Sequence, residues 1–250
     1  MTRYAESVTG PVEPPWGGTR RHSRHRPALG SEAASYVRDL IVSGQLHGGD
    51  FIRPESIAQD LSMSATPVRE GLLALRSQGF VRLEPRRGFV VIPLTGDDIR
   101  DLFVGQALLA GELAARAVKR SDEAAIADLE RLHADLEVAA GRGEHDELEE
   151  LNFRFHRAVN LLADSPKIAW LLGVAVCYVP LRFYSKIDGW PAATVHDHRT
   201  VLDAFRRGAS KAARSAMKEH IVHAGELLAI HVESGAAQRG QGSAPGRDPR

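Results

Sequence analysis

Apolar residues recur along this chain with two different periods. Val37, Leu40 and Ile41, with Tyr36 beside them, take the i, i+3, i+4 spacing of an amphipathic helix that opens at Ser31. Gly44 stands where such a helix stops, so the pattern predicts a helix over about 31–43. After His47-Gly48-Gly49-Asp50, Pro54 suits a first helical turn, and Ile57, Ala58 and Leu61 share one face of a short second helix. Met63-Ser64 is a tight link. Ser64 or Thr66 can cap a third helix, whose buried stripe is Val68, Leu72 and Leu75 together with Leu73, and which ends at Gly79. The helical period then breaks. Phe80 to Glu84 and Gly88 to Ile92 are short strand-forming runs around Pro85-Arg86-Arg87, the signature of a hairpin.

From Thr95 the helical period returns and persists, over about 96–119, 122–140, 145–163, 166–187, 193–207 and 210–232. Gly141-Arg142-Gly143, Ser165-Pro166, Asp188-Gly189-Trp190-Pro191 and Gly208-Ala209-Ser210 punctuate these segments. Such short links imply antiparallel neighbours. The predicted fold class is therefore mainly α: an N-terminal winged helix-turn-helix with a two-stranded wing over 31–94, then an all-α antiparallel helical bundle over 95–234. The flanks, 1–30 and 235–250, read as disordered by composition.

A length of 250 residues suits two domains, and 43% apolar residues supply a core. The single cysteine, Cys177, excludes a disulfide-stapled scaffold. The most apolar run, Ile168 to Val179, is about half the length of a membrane span, and the N-terminus lacks an apolar signal core. The expected setting is the cytoplasm, with no membrane partner.

Charge sharpens this. Thirty-two basic residues against 32 acidic ones exclude a uniformly basic nucleic-acid coat. The zero is a sum of unlike parts, however: +3 over 1–30, zero over 31–94, −5 over 95–235 and +2 beyond. Within the neutral part, Thr66 to Gly88 alone carries +3. That local excess lies on the third helix and the wing, where Ser64, Thr66 and Arg69 can address a major groove and Arg86 and Arg87 phosphates or a minor groove. A surface ion pair is the plainer role for Arg69.

Here the sequence resembles the GntR family of bacterial transcription regulators. The resemblance lies in Ile41-Val42-Ser43-Gly44-Gln45-Leu46, Ser64-Ala65-Thr66-Pro67-Val68-Arg69-Glu70 and Glu84-Pro85-Arg86-Arg87-Gly88-Phe89-Val90. It implies double-stranded DNA as partner, with Ser64, Thr66, Arg69 and Gly88 at positions used against the operator. Ala65 replaces a frequent arginine, which implies an altered base preference.

Eight of the 11 histidines lie in the helical region. Periodicity turns three inward on three helices: His156 beside Phe155 and Val159, His198 with Val195, Leu202 and Phe205, and His220 with Met217, Ala224 and Leu227. Asn152 precedes His156 by one turn. Three converging imidazoles suit zinc or a similar borderline divalent ion, with nickel or manganese as alternatives, and leave a position open. Hydrogen-bonded core histidines are the alternative.

This arrangement resembles the ligand-binding FCD domain of the FadR subfamily. In that subfamily the positions of Asn152, His156, His198 and His220 hold a divalent metal, and small carboxylates bind beside it. Asn152 replaces the frequent aspartate, and Gln106 a frequent arginine. Tyr178 and Arg182 on the fourth helix of the domain are further candidate contacts to an effector. The resemblance implies a homodimeric, nucleoid-associated repressor that binds an inverted-repeat operator and responds to a carboxylate metabolite. The alternatives are a metal-dependent hydrolase, for which no Glu or Asp is expected beside the three histidines as a general base, and a helical interaction module.

Overall fold

The computed structural model describes residues 29–85, 87–176 and 184–242. Helix α1 (Leu29–Val42), strand β1 (Phe51–Ile52), helices α2 (Pro54–Asp60) and α3 (Ala65–Ser77) and strands β2 (Val81–Glu84) and β3 (Gly88–Val91) form the first unit. Its core joins Val37 and Ile41 of α1 to Ile57 of α2, to Val68, Leu72 and Leu75 of α3, and to Val81, Phe89 and Val91 of the sheet. Leu73, predicted to share the stripe of α3, is instead 49% exposed. At 100° per residue, the position after Leu72 turns away from a stripe centred on Leu72 and Leu75.

The sheet has three strands in the order β1-β3-β2, all antiparallel. β1 was not expected. Two residues are too few to show an alternating pattern, and only pairing of Phe51 with Val90 and of Ile52 with Phe89 makes them a strand. β2 and β3 align Val81 with Val91 and Glu84 with Gly88, closing the wing. Gly88 has φ +95°, which a side chain would strain, so glycine belongs at this corner.

Helices α4 (Gly96–Val118), α5 (Glu123–Arg142), α6 (His145–Leu162), α7 (Pro166–Val176), α8 (Trp190–Arg206) and α9 (Ser210–Gly242) form the second unit, with a 3-10 turn at Tyr184–Lys186. Thr95 opens α4 with a capping box: its hydroxyl accepts from the Asp98 N–H, and its own N–H donates to Asp98 Oδ2 at 2.9 Å. The Thr95 hydroxyl and N–H hold the Asp98 carboxyl below its ordinary range. Just before this cap, Leu94 packs against the cores of both units.

α9 lies along α4 and α8. Gly225 permits that approach, since a Cβ there would stand 2.4 Å from Cγ of Phe103. Arg100 of α4 clamps the same pair of helices, donating to Glu226 at 2.8 Å and to Glu233 at 2.7 Å.

Three predicted boundaries move. Of the helix expected over 166–187, α7 is described to Val176 and a 3-10 turn at Tyr184–Lys186, and residues 177–183 lie outside the described residues. α8 starts at Trp190 rather than 193, because Pro191 fits a first turn and Gly189 takes φ +82° ahead of it. α9 runs to Gly242, so the segment expected to be disordered from 235 begins as helix. Ala236, Ala237, Gln238 and Arg239 are good helix formers and carry the ladder onward. Residues 1–28 and 243–250 lie outside the described residues.

Candidate DNA-reading surface and three-histidine site

The N-terminus of α3 points its polar residues outward. Ser64 occupies the N-cap position with an extended backbone, but its side chain makes no capping bond and is exposed. Thr66 and Arg69 are exposed on the next turn. Arg69 Nη2 donates to Glu55 Oε1 of α2 at 2.8 Å, with both side chains about 60% exposed. Its own backbone N–H and Arg69 together hold the Glu55 carboxyl below its usual range. An ion pair this exposed is weak and screened by salt, so it leaves Arg69 available. On the wing, Arg87 lies 4.0 Å from Glu84 and 5.7 Å from the centre of the Phe51 ring. Arg86 lies outside the described residues.

The second site is internal. Phe155 and His156 of α6, His198 of α8 and His220 of α9 form one cluster, with the Phe155 ring stacked on His198 at 4.0 Å. His198 and His220 are buried, at 0% and 3% exposure. Nε2 of His220 lies 3.1 Å from Nε2 of His156 and 3.3 Å from Nε2 of His198. One imidazole nitrogen cannot satisfy two such neighbours by hydrogen bonding, since it holds one proton or one lone pair. Ligands about 2.0–2.1 Å from a tetrahedral ion stand about 3.3 Å apart, so these spacings suit metal ligation.

Electrostatics agree. Burial, followed by the neighbouring His220, lowers His156 to about 3. Burial and the other imidazoles push His198 well below its ordinary value. Both rings are neutral at physiological pH and keep a nitrogen lone pair for an ion. The side-chain carbonyl oxygen of Asn152 is buried without a donor, as an unused ligand atom would be. The residues present therefore fit a divalent ion.

His156, His220 and Asn152 line a cavity of about 120 Å³. Phe103, Gln106 and Ala110 of α4, Glu149, Phe153 and Asn160 of α6, Leu172 and Val176 of α7, Tyr184, Trp190, and Ile221 and Ala224 of α9 complete it. Gln106 is 4% exposed and donates to the Ala175 carbonyl at 3.2 Å. Tyr178 and Arg182 lie outside the described residues.

Three residues of this region were not anticipated. Asp197 places Oδ2 3.4 Å from Nδ1 of His220 and 3.0 Å from Nδ1 of His223, which corrects the expectation that no acid adjoins the histidines. Burial raises its carboxyl, but the two imidazoles outweigh this and hold it below its ordinary value. It meets His220 on the ring nitrogen away from the cluster, so it orients that ring rather than serving as a base in the cavity. Its partner sits on another helix, which leaves no local signal in the sequence. His133 is buried with its ring 6.1 Å from His198, and its Nε2 stands 2.8 Å from Glu137 without hydrogen-bond alignment. Burial lowers its pKa. Glu149 did carry a signal: it precedes Asn152 by three and His156 by seven residues, one stripe of α6.

Comparison with known proteins joins the two sites. Residues 29–91 match the bacterial regulatory proteins of the gntR family, and residues 101–223 match the FCD domain. The chain is 31% identical over 198 residues to a probable D-xylose utilization operon transcriptional repressor of Paenarthrobacter nicotinovorans, covering 75% of this chain and 85% of that one. It is 32% identical over 134 residues to the gluconate operon transcriptional repressor of Bacillus subtilis (strain 168), where it spans 54% of this chain and 55% of the relative. Among solved structures, E. coli McbR/YncC shares the fold at a TM-score of 0.61 and 18% identity, over 86% of this chain and 100% of that one. The family and the two repressor relatives are transcription regulators and not enzymes, which removes the hydrolase alternative. No helix among the described residues is long and apolar enough to cross a membrane. The chain belongs to the GntR family of transcription regulators, with an FCD domain following its DNA-reading winged helix.

Proposed function

We propose that this chain is a metabolite-responsive repressor, acting as a homodimer on an inverted-repeat operator. A small carboxylate is sensed at a divalent metal, zinc in the first instance, held by His156, His198 and His220 with Asn152. The observation that carries this reading is the approach of three imidazole nitrogens, 3.1 and 3.3 Å apart along two sides, with His156 and His220 lining a cavity. When bound, such an ion supplies positive charge and an open position for an anion.

The chain's own residues do the rest. Asp197 fixes His220 with its Nε2 toward the cluster. Asn152, neutral where a carboxylate is frequent, leaves the site more positive and so more attractive to an anion. Gln106, Tyr178 and Arg182 are proposed as effector contacts. Ser64, Thr66, Arg69, Arg86, Arg87 and Gly88 are proposed to meet DNA. The repressor names of the gluconate and D-xylose relatives support negative control. Val104 and Leu108, one turn apart on α4 and 51% and 57% exposed, support a self-association face. Effector binding shifts the population between relative placements of two winged helices, whose half-sites lie about one DNA turn apart.

The test is metal analysis of the purified chain with a mobility shift on its own promoter region. One divalent ion per chain, lost in His198→Ala, and a complex dissociated by a carboxylate only before chelation support the proposal. Metal-free protein, or a complex indifferent to salt and sequence, overturns it.

A further inference from the structure

The nitrogen that His198 turns to the cluster is Nε2, 3.3 Å from Nε2 of His220. Its other nitrogen, Nδ1, is buried and has no hydrogen-bond partner among the described residues. An imidazole that ligates through Nε2 keeps a lone pair there, so its proton sits on Nδ1 and calls for an acceptor. His220 has Asp197 in that place. For His198, the stacked Phe155 ring at 4.0 Å fixes the plane of the imidazole, but stacking does not set its rotation within that plane.

His133 of α5 is 6% exposed, with its ring centre 6.1 Å from that of His198. Neither of its nitrogens has an aligned hydrogen bond among the described residues. Packing alone does not account for such a residue, because a leucine would fill the place without two buried polar atoms to satisfy. Its Nε2 stands 2.8 Å from Oε1 of Glu137, one turn further along α5, and Arg199 of α8 donates to the same oxygen at 2.6 Å. A small turn of the ring lets the Nε2–H donate to Glu137. Burial lowers the His133 pKa, and the neutral ring then keeps its lone pair on Nδ1, an acceptor for the donor on His198. No hydrogen bond joins the two rings directly, and one water spans a separation of this kind.

Building on the metal reading proposed above, we infer that His133 is the positioning residue of His198. It takes the Nδ1 proton of His198 through one bridging water and so holds Nε2 on the ion. Two ligands are then backed from behind in different ways, His220 by the carboxylate of Asp197 and His198 by an imidazole that Glu137 orients. Thr194 is the competing acceptor, since its buried hydroxyl, one turn before His198 on α8, also lacks a partner among the described residues.

The experiment is chelator competition for zinc on the full chain, with melting of the metal-free chain alongside. His133→Leu fills the place and removes the acceptor, so zinc binding weakens about 10- to 100-fold while the metal-free melting temperature holds or rises. His133→Asn returns an oxygen acceptor near the place of Nδ1 and brings affinity to within about threefold of wild type. Thr194→Val, of the same shape, leaves zinc affinity unchanged. The inference is overturned by unchanged zinc affinity in His133→Leu, by a loss that comes with a lower metal-free melting temperature or that His133→Asn does not restore, or by an equal loss in Thr194→Val. All of these leave the metal reading intact. A wild-type chain that binds no zinc overturns the metal reading and the inference together.

Discussion

The carboxylate of Asp197 on α8 stands 3.4 Å from Nδ1 of His220 on α9. A carboxylate behind a ligating imidazole fixes its tautomer and raises its basicity, and loss of such a partner costs about 10- to 100-fold in metal affinity. Asp197→Asn is expected to weaken zinc binding by that factor in chelator competition. His223→Ala, which removes the exposed partner of the same carboxylate, leaves it unchanged.

Leu94 touches both cores, and the chain between β3 and α4 offers few other apolar contacts to either. Leu94→Ala is expected to cost about 1–2 kcal/mol in denaturant unfolding, less than a fully buried leucine because the residue is half-buried. It also reduces the effect of effector on operator affinity while leaving affinity for metal unchanged.

Gly225→Ala forces a methyl group into the Phe103 ring, which lines the cavity beside His156 and His220. Overpacking of this kind costs about 1–3 kcal/mol. The melting temperature falls, and binding of carboxylates falls with it as Phe103 moves.

Arg69 and Glu55 make a readily tested pair on the reading surface. Arg69→Ala lowers operator affinity and reduces the slope of log affinity against log salt by about one. Glu55→Gln frees Arg69 and raises affinity by up to about fivefold, the small gain expected from releasing an exposed ion pair. Mobility shifts at several salt concentrations measure both.

The Arg100 clamp makes stability depend on acid. Arg100 hydrogen-bonds Glu226 and holds its carboxyl below the ordinary 4.5. A depressed folded-state pKa gives stabilisation that is present above the unfolded value and is lost as pH falls through the folded one. Melting temperatures from pH 7 to pH 3 therefore drop below about pH 4.5, and Arg100→Ala flattens part of that drop.

The winged helix was legible because its signals are local. Periodicity, Gly44 and Gly79 as stops, and the Arg-bearing turn between two strand runs each lie within a few residues of the element they define. β1 was not, since two residues become a strand only through partners about 40 positions away. The three inward histidines were legible from periodicity on their own helices. Their distances were not, nor was Asp197, because the contact crosses from α8 to α9.

By itself, then, the sequence determined most of the inward stripes, though not that of Leu73 or His133, and which segments are helix or hairpin, through spacings that repeat every few residues. Tertiary structure alone decided that His156, His198 and His220 meet, that Asp197 backs one of them, and that His156, His220 and Glu149 line one cavity. Those are relationships between helices, set by close approaches such as Gly225 against Phe103, and side-chain period along one helix carries no information about the packing that sets them.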